Sequence, residues 1–260
     1  MTDKEELKEL SKREEVRYGR QMMMEDFNEE NQKKLKSTTS LVTGTGGLGS
    51  PVSIYLAVAG VGRLRIVDDD EIKLSNLNRQ ILYGEEDLGR NKAVVAKEKI
   101  GILNKDIEVE SIKRKVSDQS VDGLVQGCDL IVDCMDDYRG KYVLNRASVE
   151  KDIPLFHVAV RGMRGQATTI IPGETPCLWC IVPSPPLPEK SPVLGTTPGV
   201  IGTIQVHEVI KYIAGIADLL KNQLLLVKGG TEFSKVGFTE NSKMYMTTVV
   251  LLNFLIEMIC

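Results

Sequence analysis

Leu41-Val42-Thr43-Gly44-Thr45-Gly46-Gly47-Leu48-Gly49 is a short apolar run that ends in Gly-x-Gly-x-x-Gly. It passes directly into Pro51-Val52-Ser53-Ile54-Tyr55-Leu56-Ala57, which has a helical pattern. A strand that turns on glycines into a helix opens a nucleotide-binding βαβ unit. The glycines allow a tight turn and a close approach of backbone to phosphate, and the helix N-terminus favours the negative charge. Close packing of helix on strand also selects glycine, so the flanking segments have to carry the rest of the reading.

They alternate. The spacing predicts strands over 39–43, Arg63 to Val67, Ile107 to Lys113, 129–134 and Leu155 to Val160. Helices are predicted over about 51–60, 91–103, 121–126 and 139–150. Asp129-Leu130-Ile131-Val132-Asp133-Cys134 is the continuous apolar run of a strand covered on both faces. Strands in alternation with helices imply a parallel sheet with right-handed crossovers. Upstream, residues 1–36 read as a charged helical arm. Downstream, Gln166 to Ile171 is β-type, and 172–199 holds eight of the ten prolines, which reads as a crossing loop without packed elements. Helical periodicity returns over Thr203 to Ile213. The division is an N-terminal arm (1–36), a nucleotide-binding Rossmann-like region (37–170), and a crossover loop, helix and C-terminal tail of the same domain (171–260).

The 260 residues suffice for one large α/β domain, and 27% charged with 42% apolar residues is a globular balance. A net charge of -3 gives no reason to expect nucleic acid or an anionic membrane as partner. Met246 to Cys260 is too short and interrupted for a membrane span. The charged stretch Asp3 to Glu15 has no apolar signal core. The five cysteines read as reduced thiols and not as a disulfide framework, so the cytoplasm is the expected compartment.

Asp68 closes the second strand, where a dinucleotide fold places the carboxylate that bonds a ribose. Three further features separate the chain from a hydride-transfer enzyme. Arg79 lies in the polar loop Leu74-Ser75-Asn76-Leu77-Asn78-Arg79-Gln80. Lys92 opens the next helix. Asp133-Cys134-Met135-Asp136-Asp137 stands at the C-terminal end of a buried strand. Two cations and a strand-end carboxylate suit a triphosphate with Mg²⁺. No Gly-x-x-x-x-Gly-Lys-[Ser/Thr] occurs, so this is not a P-loop ATPase.

Arg17-Tyr-Gly-Arg20-Gln21, Gly44-Thr-Gly-Gly-Leu-Gly49, Asp68-Asp-Asp70, Ser75-Asn-Leu-Asn-Arg79-Gln80, Lys92, Asp133-Cys-Met-Asp136, Pro176-Cys177-Leu-Trp-Cys180 and Pro198-Gly199-Val-Ile-Gly202 together resemble the MoeB/ThiF/HesA family of E1-like activating enzymes. The resemblance runs from about Arg17 to Ile213. It implies a Rossmann-like sheet flanked by helices and extended by a β-rich substrate-binding region with the proline-rich crossover loop. The implied activity is adenylation, with ATP and Mg²⁺, of the C-terminal Gly-Gly carboxylate of a small ubiquitin-fold protein such as a ThiS- or MoaD-like sulfur carrier. In that scheme Gly44, Gly46 and Gly47 approach the phosphates, Asp68 holds the ribose, and Arg79 and Lys92 clamp the triphosphate. Asp136 binds Mg²⁺, and Asp70, Ser75, Asn76, Asn78, Gln80 and Asp137 complete the nucleotide site. Arg20 resembles the arginine that enters the neighbouring subunit's site, which implies a homodimer.

A carboxylate substrate is already a nucleophile, so attack on phosphorus needs alignment and charge cancellation more than a general base. His157 and His207 are accordingly read as core or surface residues. The sequence departs from the family pattern in five places. Residue 137 is Asp where Asn is usual, and 141 is Lys where Arg is common. The crossing loop Pro183 to Pro192 lacks the cysteine that many members use for a thioester or persulfide. Cys177 and Cys180 are candidate zinc ligands, but the second Cys-x-x-Cys pair of a four-thiolate site is missing. The tail from Lys243 does not resemble the family's usual ending. Competing readings are a relative acting on a tRNA-borne or small-molecule carboxylate, a non-catalytic scaffold, and an NAD-dependent oxidoreductase.

Overall fold

Leu41 and Val42 are sequence neighbours that enter opposite cores, and this period-two alternation sorts the apolar residues onto the two faces of one sheet. The structure is a computed structural model that describes residues 7–183 and 192–238. The first two elements are helices, α1 (Lys12–Met22) and α2 (Glu29–Ser37). Then follow β1 (Thr39–Thr43), α3 (Gly49–Ala59), β2 (Arg63–Val67), α4 (Lys92–Leu103), β3 (Glu108–Ile112), α5 (Val121–Val125), β4 (Leu130–Asp133) and α6 (Tyr138–Lys151). The second half comprises β5 (Leu155–Arg161), β6 (Arg164–Ile170), α7 (Leu178–Ile181), α8 (Thr196–Ala214), β7 (Gln223–Lys228) and β8 (Glu232–Gly237).

The sheet has eight strands in the order β3-β2-β1-β4-β5-β6-β7-β8. From β3 to β5 every pairing is parallel, and from β5 to β8 every pairing is antiparallel. The chain winds outward from β1 to β3, then returns to lay β4 on the other side of β1. Order therefore reverses between β1 and β4, and the crevice beyond their C-terminal ends is where open α/β sheets bind ligands. On one face Val42, Ile66, Val132 and Phe156 meet Val52 and Leu56 of α3 and Val206 of α8. On the other, Leu41, Ile131 and Leu155 meet Leu124 of α5, Leu144 of α6 and Leu178 of α7.

Three segments differ from the sequence expectation. The N-terminal arm is two helices, because Asn28 starts a second one by accepting the Asn31 amide at 3.2 Å. The proline-rich segment contains α7 and the first turn of α8. Pro198 stands at the third helical position, where an amide has no intrahelical acceptor and its loss costs nothing. Beyond α8 the chain adds β7 and β8, a hairpin turned on Gly229 and Gly230, both with positive φ. The cysteine-free stretch of the crossing loop over 184–191 and the unusual tail lie outside the described residues.

Candidate functional site

Gly44 follows β1 with φ +82, a backbone conformation that favours glycine, and an added Cβ would come 2.9 Å from the Cys134 carbonyl oxygen. The glycine turn after β1 and the turn after β4 are thus packed on each other across the point where strand order reverses. Gly49 is more constrained by space, since a Cβ there would meet Gly44 O at 1.8 Å. Gly46 and Gly47 face the next loop. The nearest atom to a Cβ on Gly46 is Nε2 of Gln80 at 3.4 Å, and for Gly47 the neighbours are Pro198 Cγ at 3.2 Å and Arg79 Cγ at 3.4 Å.

Thr45 joins the turn to the end of β2. Its amide and hydroxyl donate to Oδ2 of Asp68 at 2.7 and 3.0 Å. The other carboxylate oxygen of Asp68 accepts the Asp70 amide at 2.9 Å. Burial pushes the Asp68 carboxyl above its ordinary range against the pull of the Lys92 ammonium. Lys92 Nζ donates to Oδ2 of Asp70 at 2.8 Å, with the lysine side chain buried and the aspartate largely exposed. Asn91 caps α4 by accepting the Val94 amide and donates its own amide group to the carbonyls of Asp68 and Asp70. The buried Tyr83 hydroxyl lies 3.0 Å from Thr45 O and 3.2 Å from Lys92 O, tying the glycine turn to the start of α4.

Arg79 is held by its own loop: one guanidinium nitrogen donates to Ser75 O and to Asn78 Oδ1, each at 3.0 Å. Asn76 shapes that loop by accepting the Lys73 amide at 3.0 Å. Gly195, just before α8, packs on Asn78; a Cβ there would lie 2.3 Å from Asn78 O. Gln80 is buried, and its Oε1 has no partner among the described residues. An orphaned buried acceptor beside Gly46 is a group awaiting a donor.

Of the residues singled out from the sequence, Gly44, Gly46, Gly47, Asp68, Asp70, Arg79, Gln80 and Lys92 come together, and Ser75, Asn76 and Asn78 build the loop that holds Arg79. Asp136 is exposed in the turn before α6. Asp137 is the N-cap of α6, its Oδ1 accepting the Gly140 amide at 2.8 Å. Asn and Asp cap equally well, so the departure at 137 leaves the helix start intact.

Arg20 is not near this cluster. It is exposed on the last turn of α1. Tyr18 of the same helix packs beneath Gly60 at the far end of α3, where a Cβ would meet Tyr18 Cζ at 2.6 Å. Arg17 bonds Leu103 O and Asp106 just past the C-terminus of α4. An 11-residue helix is about 16 Å long, and α3 separates the two ends.

Exposed carboxylates are hard oxygen donors of the kind Mg²⁺ takes. Asp68, Asp69 and Asp70 bring oxygens within 4.8 Å of one another, and Asp136 offers another carboxylate at the next strand end but one. The donor set fits that ion. Cys177 and Cys180 hold their sulfurs 3.6 Å apart, one pair of the thiolates that a structural zinc site takes. Cys128 and Cys134 are buried elsewhere. Burial pushes the Cys128 thiol up to about 11 and raises that of Cys134 as well, which keeps both unreactive.

Sequence reasoning gave no role to Thr45, Tyr83 and Asn91, and it named Asp133, Lys141 and the core histidine His157 without bringing the three together as one buried group. The available signals were an Asn directly before a helix and a charged residue inside an apolar strand.

The strand order, the glycine turn at its reversal and the carboxylate after β2 define a Rossmann-like nucleotide-binding α/β protein. The model of the ThiF family matches residues 18–243. Protein HesA, heterocyst, of Trichormus variabilis is 42% identical over 222 residues, covering 84% of this chain and 83% of that protein. The SAMP-activating enzyme E1 of Haloferax volcanii is 39% identical over 215 residues, 80% of this chain and 79% of the enzyme. Adenylyltransferase and sulfurtransferase MOCS3 of Drosophila sechellia is 38% identical over 222 residues, 83% of this chain but 49% of that longer protein. Among solved structures, E. coli MccB with ATP superposes with a TM-score of 0.77 at 24% identity, over 86% of this chain and 72% of that one, a likeness of fold. The chain belongs to the ThiF family, within the MoeB/ThiF/HesA group of E1-like adenylyltransferases. No described helix is long and apolar enough to cross a membrane.

Proposed function

We propose that the protein adenylates the C-terminal Gly-Gly carboxylate of a small ubiquitin-like protein, consuming ATP and releasing pyrophosphate. The observation that carries this reading is the convergence of Gly47, Asp68, Arg79 and Lys92 at the strand-order reversal. The names of the Haloferax and Drosophila relatives support the class of reaction and of substrate. The carrier carboxylate attacks the α-phosphorus, and the bond to the pyrophosphate oxygen breaks. Arg79 and Lys92 offset the charge that grows on the phosphate oxygens. Asp68 accepts from the ribose hydroxyls, and the backbone at Gly46 and Gly47 lets the phosphates approach. Asp136 would hold Mg²⁺, which supplies further charge cancellation when bound.

Arg20 cannot serve the site of its own chain across the length of α3. The place of Arg20 at the far end of α3 is consistent with a role in trans, in a homodimer whose sites are each completed by the other copy, as the family resemblance implies. Burial keeps the thiols of Cys128 and Cys134 unreactive, and the reaction ends at a bound acyl-adenylate that an external nucleophile releases. ATP–pyrophosphate exchange, with and without a Gly-Gly-ended carrier, tests the reading: exchange that needs the carrier supports it, and absence of exchange with every such carrier removes it.

A further inference from the structure

Asp133 is fully buried, and all four acceptor positions of its carboxylate are used. Oδ1 accepts the Met135 amide at 3.1 Å and Lys141 Nζ at 3.2 Å. Oδ2 accepts Lys141 Nζ at 3.1 Å and faces Nδ1 of His157 at 2.7 Å. Lys141, also buried, spends its third donor on Val158 O at 2.8 Å. An ionised carboxylate only accepts, so Nδ1 of His157 carries the proton it donates to Asp133; Nε2 faces the amide nitrogen of Gln166 at 3.5 Å. From the opposite face Gln205 of α8 donates to the carbonyls of Asp133 and Phe156.

A buried ion pair is a poor source of stability, because desolvation offsets the attraction and apolar residues of equal volume do as well or better. Here every acceptor position of the carboxylate and every donor of the lysine is used. It sits directly beneath the turn 134–137, which carries Asp136 and starts α6 at Asp137. The same turn is hemmed in from above: Gly44 packs on Cys134 O, and Met135 Cε would be 2.7 Å from a Cβ on Gly140.

We propose that Asp133, clamped by Lys141 and His157, is the positioning residue of the nucleotide site, fixing the 134–137 turn so that Asp136 is presented for the metal of a metal–nucleotide complex. The proposal rests on the nucleotide-site reading given above. Asp133 touches no substrate. It acts through the Met135 amide and through Lys141, which joins β4, α6 and β5 at one atom. The lysine at 141 is thereby part of the site's support even though it is out of reach of a ligand.

The test uses two full-length variants. Asp133→Asn/Lys141→Met removes both charges at nearly constant volume, and Asp133→Glu keeps both but shifts the carboxylate by one methylene. Each is examined by amide hydrogen exchange of the 134–137 segment and by calorimetric ATP titration over a range of Mg²⁺ concentrations. Both variants are expected to exchange the segment at least ~10-fold faster than wild type, since the Met135 amide loses or weakens its acceptor. The Mg²⁺ needed for half-maximal ATP binding should rise at least ~10-fold, while metal-free ATP binding is unchanged. A purely structural pair would lower the melting temperature without moving the Mg²⁺ requirement. A folded variant with wild-type exchange and wild-type Mg²⁺ dependence overturns the proposal; if the double variant does not fold, Asp133→Glu decides by the same two readings. Binding needs no carrier, so a wild type that binds Mg-ATP yet shows no pyrophosphate exchange refutes the adenylation reading alone. A wild type that binds no ATP in either condition overturns both.

Discussion

Gly46, Gly47 and Gly49 share one motif, but the structure gives their alanine variants three different outcomes. None has positive φ, so alanine meets no backbone strain and the result depends on where the new methyl goes. At Gly49 it would stand 1.8 Å from Gly44 O and 2.8 Å from Gly44 C, and the turn cannot close around it. The cost is at the upper end of overpacking, about 3 kcal/mol or more. For a chain of this size that is a fall of roughly 6–12 °C in melting temperature. At Gly46 the methyl meets only the flexible end of Gln80 at 3.4 Å, and stability should change by less than about 0.5 kcal/mol. At Gly47 the neighbours are Pro198 Cγ at 3.2 Å and Arg79 Cγ at 3.4 Å, so the fold should lose about 1 kcal/mol. The larger effect there is on ligand. The methyl occupies the approach to the phosphates and pushes on Arg79, and ATP affinity should fall at least ~10-fold, or about 1.4 kcal/mol. Thermal unfolding and ATP titration on the three variants separate the contributions. If Gly47→Ala loses only stability and keeps its ATP affinity, the glycine is there for packing and the phosphate argument fails. A Gly49→Ala protein that melts like wild type would refute the turn geometry.

Three other outcomes follow from the same structure. Mixing Arg20→Ala with Lys92→Ala protein should restore part of the exchange activity, because a mixed dimer contains one site with intact Lys92 and the partner's intact Arg20; a mixture as inactive as its parents, with subunit exchange confirmed, removes the shared site. Burial holds His157 below the ordinary histidine range, so the unfolded chain takes up this proton more readily than the folded one. Stability should be complete above about pH 6.5 and fall as the pH drops from there toward the folded-state value, by at most about 1.4 kcal/mol per pH unit. Urea midpoints at pH 7.5 and 5.5 measure this, and a midpoint higher at pH 5.5 would contradict the neutral assignment. Intact-mass analysis after incubation with ATP and carrier should show no covalent adduct, whereas a DTT-sensitive one that vanishes in Cys177→Ser or Cys180→Ser would overturn the adenylate-only reaction.

The central parallel strands β1, β4 and β5 were legible because they are covered on both faces: runs such as Leu130-Ile131-Val132 are written in apolar residues and need no partner to be recognised. The antiparallel hairpin of β7 and β8 was not, since Leu224 to Val227 carries the same apolar signal as a buried helix turn and only Gly229-Gly230 marks the reversal. Asp68, Arg79 and Lys92 could be picked out as charges at the ends of predicted elements. What holds them could not, because Tyr83 and Asn91 act through backbone carbonyls that only the folded chain brings near. The Asp133–Lys141–His157 group was hidden for a related reason. Its members lie on β4, α6 and β5, and their pairing depends on register between strands that the sequence does not state.

The most direct measurement is ATP–pyrophosphate exchange by the wild type, Lys92→Ala and Asp136→Ala proteins, each with and without a Gly-Gly-ended carrier. Exchange should appear only with wild type plus carrier and fall at least ~100-fold in either variant, the scale of losing one preorganised charge. Exchange that proceeds without any carrier, or that survives both substitutions, would contradict the assignment of this site to carrier adenylation.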